Sequence, residues 1–172
     1  MLVVVSDTHA RTDHRLAGRT LEAVRDADRV IHAGDFNREP VLDAFHEVSA
    51  ELLGVYGNTD DAAIRDRLPP AREFEFGGLR FAVTHTRDGG PTALSLFGRE
   101  RDADVVVFGH SHRPTLDTSG PVALLNPGSH AQPRGNRPGH AELEAVTGGV
   151  RCRLVTPDGE VFERATLVSD RS

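Results

Sequence analysis

Short apolar runs alternate with amphipathic stretches through the first half of the chain. Leu2–Val5 is a β-branched run of strand length and predicts a buried strand. Leu16, Leu21, Val24 and Ala27 fall on one helical face, and Val30-Ile31 opens a second strand. Glu39–Val48 predicts a helix, with Pro40 in its first turn and Val41, Leu42, Phe45 and Val48 as its apolar stripe. Leu52, Leu53 and Val55 suggest a third strand, and residues 61–68 a short helix. Strands and helices in this alternation predict βαβ units and a largely parallel sheet.

The second half changes rhythm. Residues 73–76 alternate polar and apolar, and Gly77-Gly78 turns them into a run at 79–83, the pattern of a hairpin. A helix over 91–101 leads to a buried strand at 105–108. Strand-like runs follow at 121–125, 142–146, 151–155 and 161–168, divided by turn signals at Ser119-Gly120, Gly148-Gly149 and Asp158-Gly159. A parallel α/β half therefore joins an antiparallel β half. The expected architecture is two sheets packed face to face with helices outside, in one domain over residues 1–172 without linker or repeat.

Composition narrows the class. With 172 residues, 38% hydrophobic and 27% charged, the chain can bury a core without staples, which excludes wholesale disorder and a coiled coil. No apolar run is long enough to span a bilayer. The N-terminus lacks a basic segment and reaches Asp7 early, so no signal peptide is expected and the localisation is read as cytoplasmic. The single cysteine, Cys152, excludes an internal disulfide framework and a thiolate metal cluster, and reads as a core or surface thiol. All 20 basic residues are arginine. That pattern fits GC-rich coding or a salty cytoplasm, and either way lysine Schiff-base chemistry and a lysine phosphate loop are ruled out. A net charge of −6 without a basic stripe argues against duplex nucleic acid as a partner.

Five polar motifs stand where predicted strands end: Asp7-Thr8-His9, Gly34-Asp35, Gly57-Asn58-Thr59-Asp60, Thr84-His85 and Gly109-His110-Ser111-His112. Ligands of open α/β sheets gather at the carboxyl ends of strands, so these loops are expected to share one rim. Each motif alone is commonplace, but each offers a metal-capable group. Together they suit a two-metal site, in which a shared carboxylate and a bridging hydroxide serve in-line displacement at phosphorus. Asp35, a lone carboxylate between clusters of His and Asn, is the natural bridge. Mixed nitrogen and oxygen ligation admits manganese, iron, zinc, cobalt or nickel.

The ordered set D-x-H, G-D, G-N-x-D, H and G-H-x-H resembles the calcineurin-like metallophosphoesterases. Asn126-Pro127-Gly128-Ser129 with Pro133-Arg134 is similar to their small bacterial and archaeal phosphodiesterase branch. The resemblance implies a four-layer α/β/β/α sandwich. It implies one metal held by Asp7, His9, Asp35 and His112, a second held by Asp35, Asn58, His85 and His110, and manganese as the favoured ion. The implied reaction is phosphodiester or activated phosphate-ester hydrolysis on a small substrate, with Asp35, Asn58 and His85 at the chemistry.

Two departures stand out. Thr59 occupies the position where larger members of the family carry a histidine able to protonate the leaving oxygen, and its hydroxyl is too weakly acidic for that task. Thr86-Arg87-Asp88 follows His85 where relatives commonly have glycine, so Arg87 is a candidate substrate contact beside a solvated-loop reading. Arg134 divides in the same way between a phosphate fork and a loop anchor. His32 suits an orienting role or a plain buried histidine. Asp60 is expected to cap the helix starting at Asp61. Asn126 is expected to brace the His110-His112 loop, and His14, His46, His130 and His140 to be structural or solvent-facing. Two other classes compete: a metal-binding protein-interaction scaffold of the same fold, as in the retromer subunit of vacuolar sorting, and a metal-dependent amidohydrolase. All seven ligand positions hold usable residues, against the scaffold. The late His-x-His pair argues against the amidohydrolase.

Overall fold

The computed structural model describes residues 1–169. In chain order the elements are β1 (Leu2–Val5), α1 (Gly18–Asp26), β2 (Arg29–His32), α2 (Glu39–Val48), β3 (Leu52–Gly54), α3 (Ala62–Arg67), β4 (Ala71–Phe76), β5 (Leu79–Thr84), α4 (Gly90–Arg99), β6 (Val105–Val107), β7 (Thr115–Asp117), β8 (Ala123–Asn126), β9 (His140–Val146), β10 (Gly149–Val155) and β11 (Val161–Leu167). They form a six-stranded sheet in the order β11-β10-β9-β1-β2-β3 and a five-stranded sheet in the order β4-β5-β6-β8-β7. Both are mixed.

The two sheets enclose the main core. Leu2, Val4, Ile31, Leu143, Cys152 and Leu154 of the first meet Phe74, Phe81, Val83, Val105, Val107 and Leu125 of the second. Val3, Val5 and Val30 face the other way, against Val24, Val41, Leu42, Phe45 and Ile64 of the helices α1 to α3. Ala82, Val106 and Leu124 pack in the same fashion on Leu94 and Phe97 of α4. This is the expected α/β/β/α sandwich. The continuous apolar runs of β1 and β6 follow from it, because a strand covered on both faces has no solvent side to alternate toward.

The division into a parallel half and an antiparallel half is corrected. The C-terminal meander β9-β10-β11 belongs to the first sheet, with β9 antiparallel to β1 and Leu2 opposite Leu143. The second sheet has a parallel centre, β5-β6-β8. The physical reason lies in β1: buried on both faces and parallel to β2 on one side, it would otherwise expose an edge, and β9 covers that edge. β7, three residues at the end of the second sheet, is too short to leave a periodic pattern. Among the described residues, no helix is long and apolar enough to cross a membrane.

Candidate metal centre

All five motifs meet at one rim, and backbone hydrogen bonds lock their loops together. The Asp7 and His9 N–H groups donate to the carbonyls of Gly34 and Asp35, each at 3.0 Å, and the Gly109 N–H donates to His85 O at 3.0 Å. Ser129 Oγ donates to Asp7 O at 2.7 Å, which draws in the loop after β8. Because side chains must face the site within a residue or two of the strand end, the backbone turns sharply. Asp7, His9, Asp35, His110 and His112 all adopt positive φ, between 46° and 72°. Left-handed backbone costs a non-glycine residue of order 1 kcal/mol, so such clustering persists only where the surroundings over-determine it. Glycine is needed where the chain passes over a carboxylate. A Cβ on Gly57 would lie 2.1 Å from Asp35 Oδ1, and one on Gly109 would lie 2.1 Å from Ser6 Oγ and 2.6 Å from Asp7 Oδ2.

Each carboxylate is fixed by one oxygen and presents the other. Asp7 Oδ2 accepts from Ser6 Oγ at 2.7 Å and from the His110 N–H at 3.0 Å. Asp7 Oδ1 is buried without a hydrogen-bond partner, 3.4 Å from His112 Nε2, 3.7 Å from His9 Nε2 and 4.0 Å from His85 Nε2. Asp35 Oδ1 accepts the Thr59 N–H at 2.9 Å, while Oδ2 faces His85 Nε2 at 3.1 Å and His9 Nε2 at 3.4 Å. His85 Nδ1 donates to Ala33 O at 2.7 Å and His112 Nδ1 donates to Gln132 O, so the Nε2 atom of each neutral ring offers a lone pair to the site. Asn58 Oδ1 lies 3.0 Å from His85 Nε2 and 3.1 Å from His110 Nδ1.

Two clusters result. Asp7, His9 and His112 form one and Asp35, His85 and His110 the other, each with its ligand atoms within 4.8 Å of one another. Converging lone pairs outnumber the protons available to separate them, and among the described residues the buried Asp7 Oδ1 has no hydrogen-bond partner. Hard to borderline divalent cations fit this donor set. Burial works to raise the Asp35 carboxyl, but the hydrogen bond and charge of His85, with the Thr59 N–H, hold it well below the usual carboxylate range. Burial works to lower the His85 imidazole, yet Asp35, Asp7 and Ala33 O together raise it. Burial lowers His112, only partly countered by Gln132 O and Asp7.

Arg87 and Arg134 are exposed on the rim. The Arg87 guanidinium lies 4.3 Å from the centroid of the Phe97 ring. Arg134 Nη2 donates weakly to Gln132 Oε1 at 3.4 Å and stands near His112. Asn126 braces the His110-His112 loop through Gly109 O and Ser111 Oγ, each at 3.1 Å. His32 joins two ligand loops: its Nδ1 accepts from the Gly34 N–H at 3.1 Å, leaving Nε2 to donate to Thr8 Oγ1 at 2.9 Å. Cys152 is buried, and burial pushes its thiol up to about 12.

The cap expected of Asp60 belongs to Asp61, whose Oδ1 accepts the Ile64 N–H at 3.1 Å. Asp60 instead takes the N–H groups of Asp35 at 3.0 Å and Gly57 at 2.7 Å on Oδ2, and of Asn37 at 2.7 Å on Oδ1. Two adjacent aspartates ahead of a helix leave the sequence no means of telling which one caps. Sequence reasoning also missed Ser6, and a cluster around the buried Glu142, which accepts from Arg19 at 2.7 Å, Arg153 at 3.1 Å and His140 at 3.0 Å. Nothing local in the sequence marks either.

A family model for the calcineurin-like phosphoesterase superfamily domain matches residues 1–148. A probable metallophosphoesterase of Methanocaldococcus jannaschii, MJ0623, is 31% identical over 136 residues, covering 78% of this chain and 70% of the relative. The phosphodiesterase MJ0936 of the same organism is 26% identical over 136 residues, 73% of this chain and 81% of that one. Among solved structures, Vps29 of Chaetomium thermophilum superposes with a TM-score of 0.82 at 17% identity, covering 98% of both chains. That last likeness is one of fold.

Proposed function

From the membership of this chain in the calcineurin-like phosphoesterase superfamily, a divalent-metal-dependent family, we propose that residues 1–172 act as one cytoplasmic phosphodiesterase domain. The substrate is a small phosphate ester. Asp7, His9, Asp35 and His112 hold one ion, and Asp35, Asn58, His85 and His110 hold the other, with Asp35 between them. The single observation that carries this reading is the buried, unpartnered Asp7 Oδ1 facing three imidazole nitrogens across from Asp35 Oδ2.

A divalent pair held by these residues would supply Lewis acidity toward the ester oxygens and toward a water nucleophile. The chain does the rest. Ala33 O and Gln132 O fix the tautomers of His85 and His112, and the Thr59 N–H turns Asp35 Oδ2 inward. Asn58 and His85 line the side on which the phosphoryl group rests, while Arg87 and Arg134 stand on the rim beside the second and first clusters. The Thr59 hydroxyl donates to Asn37 Oδ1 and offers no acid for a leaving alkoxide, so good leaving groups are favoured. Manganese is the ion of first choice, with iron, zinc, cobalt and nickel as competitors.

The test is hydrolysis of bis(p-nitrophenyl) phosphate beside p-nitrophenyl phosphate by chelated and manganese-loaded protein, with Asp35→Asn as control. Manganese-dependent turnover that favours the diester and vanishes in the variant is the expected result. Two bound ions without turnover of either ester would replace this reading with the metal-binding scaffold.

A further inference from the structure

A hollow of about 300 Å³ opens directly off Asn58 and His85, beside the second ligand cluster. Tyr56 and Pro70 form part of its wall, and two arginines, Arg65 and Arg87, supply its charge; among the described residues no carboxylate lines it. In a chain of net charge −6 this is a locally cationic hollow. The two arginines differ in what they have left to offer. Arg65 is tied to the loop that carries Asn58 through Nε, which donates to Asp60 O at 3.0 Å, and Nη2, which donates to Asn58 O at 3.2 Å, with its guanidinium 5.0 Å from the centroid of the Tyr56 ring. Arg87 rests on the face of Phe97, and among the described residues no carbonyl or carboxylate accepts from it. A guanidinium held by its face keeps its in-plane N–H groups for an anion at its edge.

We infer that the site takes phosphodiesters of which one compact arm carries a second anionic group, and that Arg87 binds that group in the hollow. The inference rests on the phosphodiesterase reading. A phosphoryl group seated against Asn58 and His85 sends one ester arm toward the hollow, where the unspent donors of Arg87 stand. The volume is at the low end for a small-molecule site and suits a short phosphorylated alcohol better than a polymer. Arg65, held to its loop through Nε and Nη2, adds mainly field, and the discrimination is assigned to Arg87, which keeps all its donors.

The test compares p-nitrophenyl propyl phosphate with the same diester bearing a terminal phosphate on the propyl arm. Manganese-loaded protein is expected to prefer the phosphorylated diester about tenfold in kcat/KM, through KM, the size of one charge-assisted contact. Arg87→Gln is expected to bring the ratio near unity and Arg87→Lys to restore part of it. About 0.5 M salt is expected to shrink the ratio by screening. Arg164→Gln, on the exposed strand β11, is expected to leave it intact. Calorimetry gives a readout independent of turnover: propane-1,3-diyl bisphosphate is expected to bind more tightly than propyl phosphate, and to lose that advantage in Arg87→Gln. Equal use of both diesters by the unaltered protein overturns the inference while the phosphodiesterase reading stands. An unchanged ratio in Arg87→Gln with both rates lowered overturns it too, and puts Arg87 on the scissile phosphate. If neither diester is hydrolysed, the phosphodiesterase reading fails and the calorimetric preference alone upholds or overturns the anion site.

Discussion

Asp60 Oδ2 accepts the backbone N–H of Asp35 at 3.0 Å, so a carboxylate outside both ligand clusters holds a residue of the second one. The same oxygen takes the Gly57 N–H at 2.7 Å, and Oδ1 takes that of Asn37. One buried side chain thereby ties the loop after β2 to the loop after β3. Burial raises its pKa despite these three donors, a measure of how dry the junction is.

Replacing Asp60 by Asn puts an amide donor against backbone donors. Asp60→Asn is expected to cost about 2 kcal/mol, a fall in Tm on the order of 5 °C for a chain of this size. It is also expected to weaken metal binding about tenfold or more, because Asp35 loses its anchor. Thermal melts of the chelated protein and a competitive chelator titration read the two effects separately. Wild-type metal affinity in a folded Asp60→Asn would show that the tie is dispensable.

Gly57 has no positive φ to preserve, so Gly57→Ala tests space alone. The added methyl meets Asp35 Oδ1 at 2.1 Å and the Asp35 backbone nitrogen at 2.6 Å, neither of which is a flexible end. The substitution is expected to destabilise by about 1–3 kcal/mol and to lower metal affinity at least about tenfold. Binding is measured by calorimetry, with circular dichroism to confirm the fold. A variant that binds two ions as tightly as the parent would show that the loops move apart freely.

Acid is expected to destabilise the chelated protein in two steps. Burial lowers His130 to about 4 and drives His32 down as well, so both are neutral in the folded chain. The unfolded chain takes up these protons first, below an ordinary histidine pKa of about 6.5. Stability from this source is complete above that pH and is lost as pH falls toward about 4. Glu142 follows: burial works to raise it, but His140 and Arg19 hold it at about 2. Its contribution, on the order of 3 kcal/mol, is present above an ordinary glutamate pKa and lost between there and the folded value. Melting temperature against pH checks both steps. His130→Gln is expected to flatten the upper one, and an unchanged slope would mean that His130 does not titrate with unfolding.

Much of the fold was legible because the information is local. The strand runs, the α2 stripe and the Gly77-Gly78 turn each declare themselves within a few residues. The five site motifs were equally legible, since polar residues that directly follow apolar runs stand out whatever the tertiary arrangement. Asp60 was not legible. Its neighbour Asp61 has the same side chain, and only the path of the loop after β2 decides which carboxylate meets three N–H groups and which caps α3.

By itself the sequence determined the elements other than β7, their order, and which side chains would stand at the strand ends, because periodicity and turn chemistry act over a few residues. Tertiary structure alone decided that β9 closes the edge of β1, since partners some 140 residues apart are selected by shared burial and not by any local pattern. It also decided that Glu142 would gather Arg19, Arg153 and His140. The same holds for Arg87, which rests on Phe97 at the mouth of a hollow beside His85. Each of these depends on where a side chain from one layer meets an element of another, and that is settled only when the sheets and helices pack.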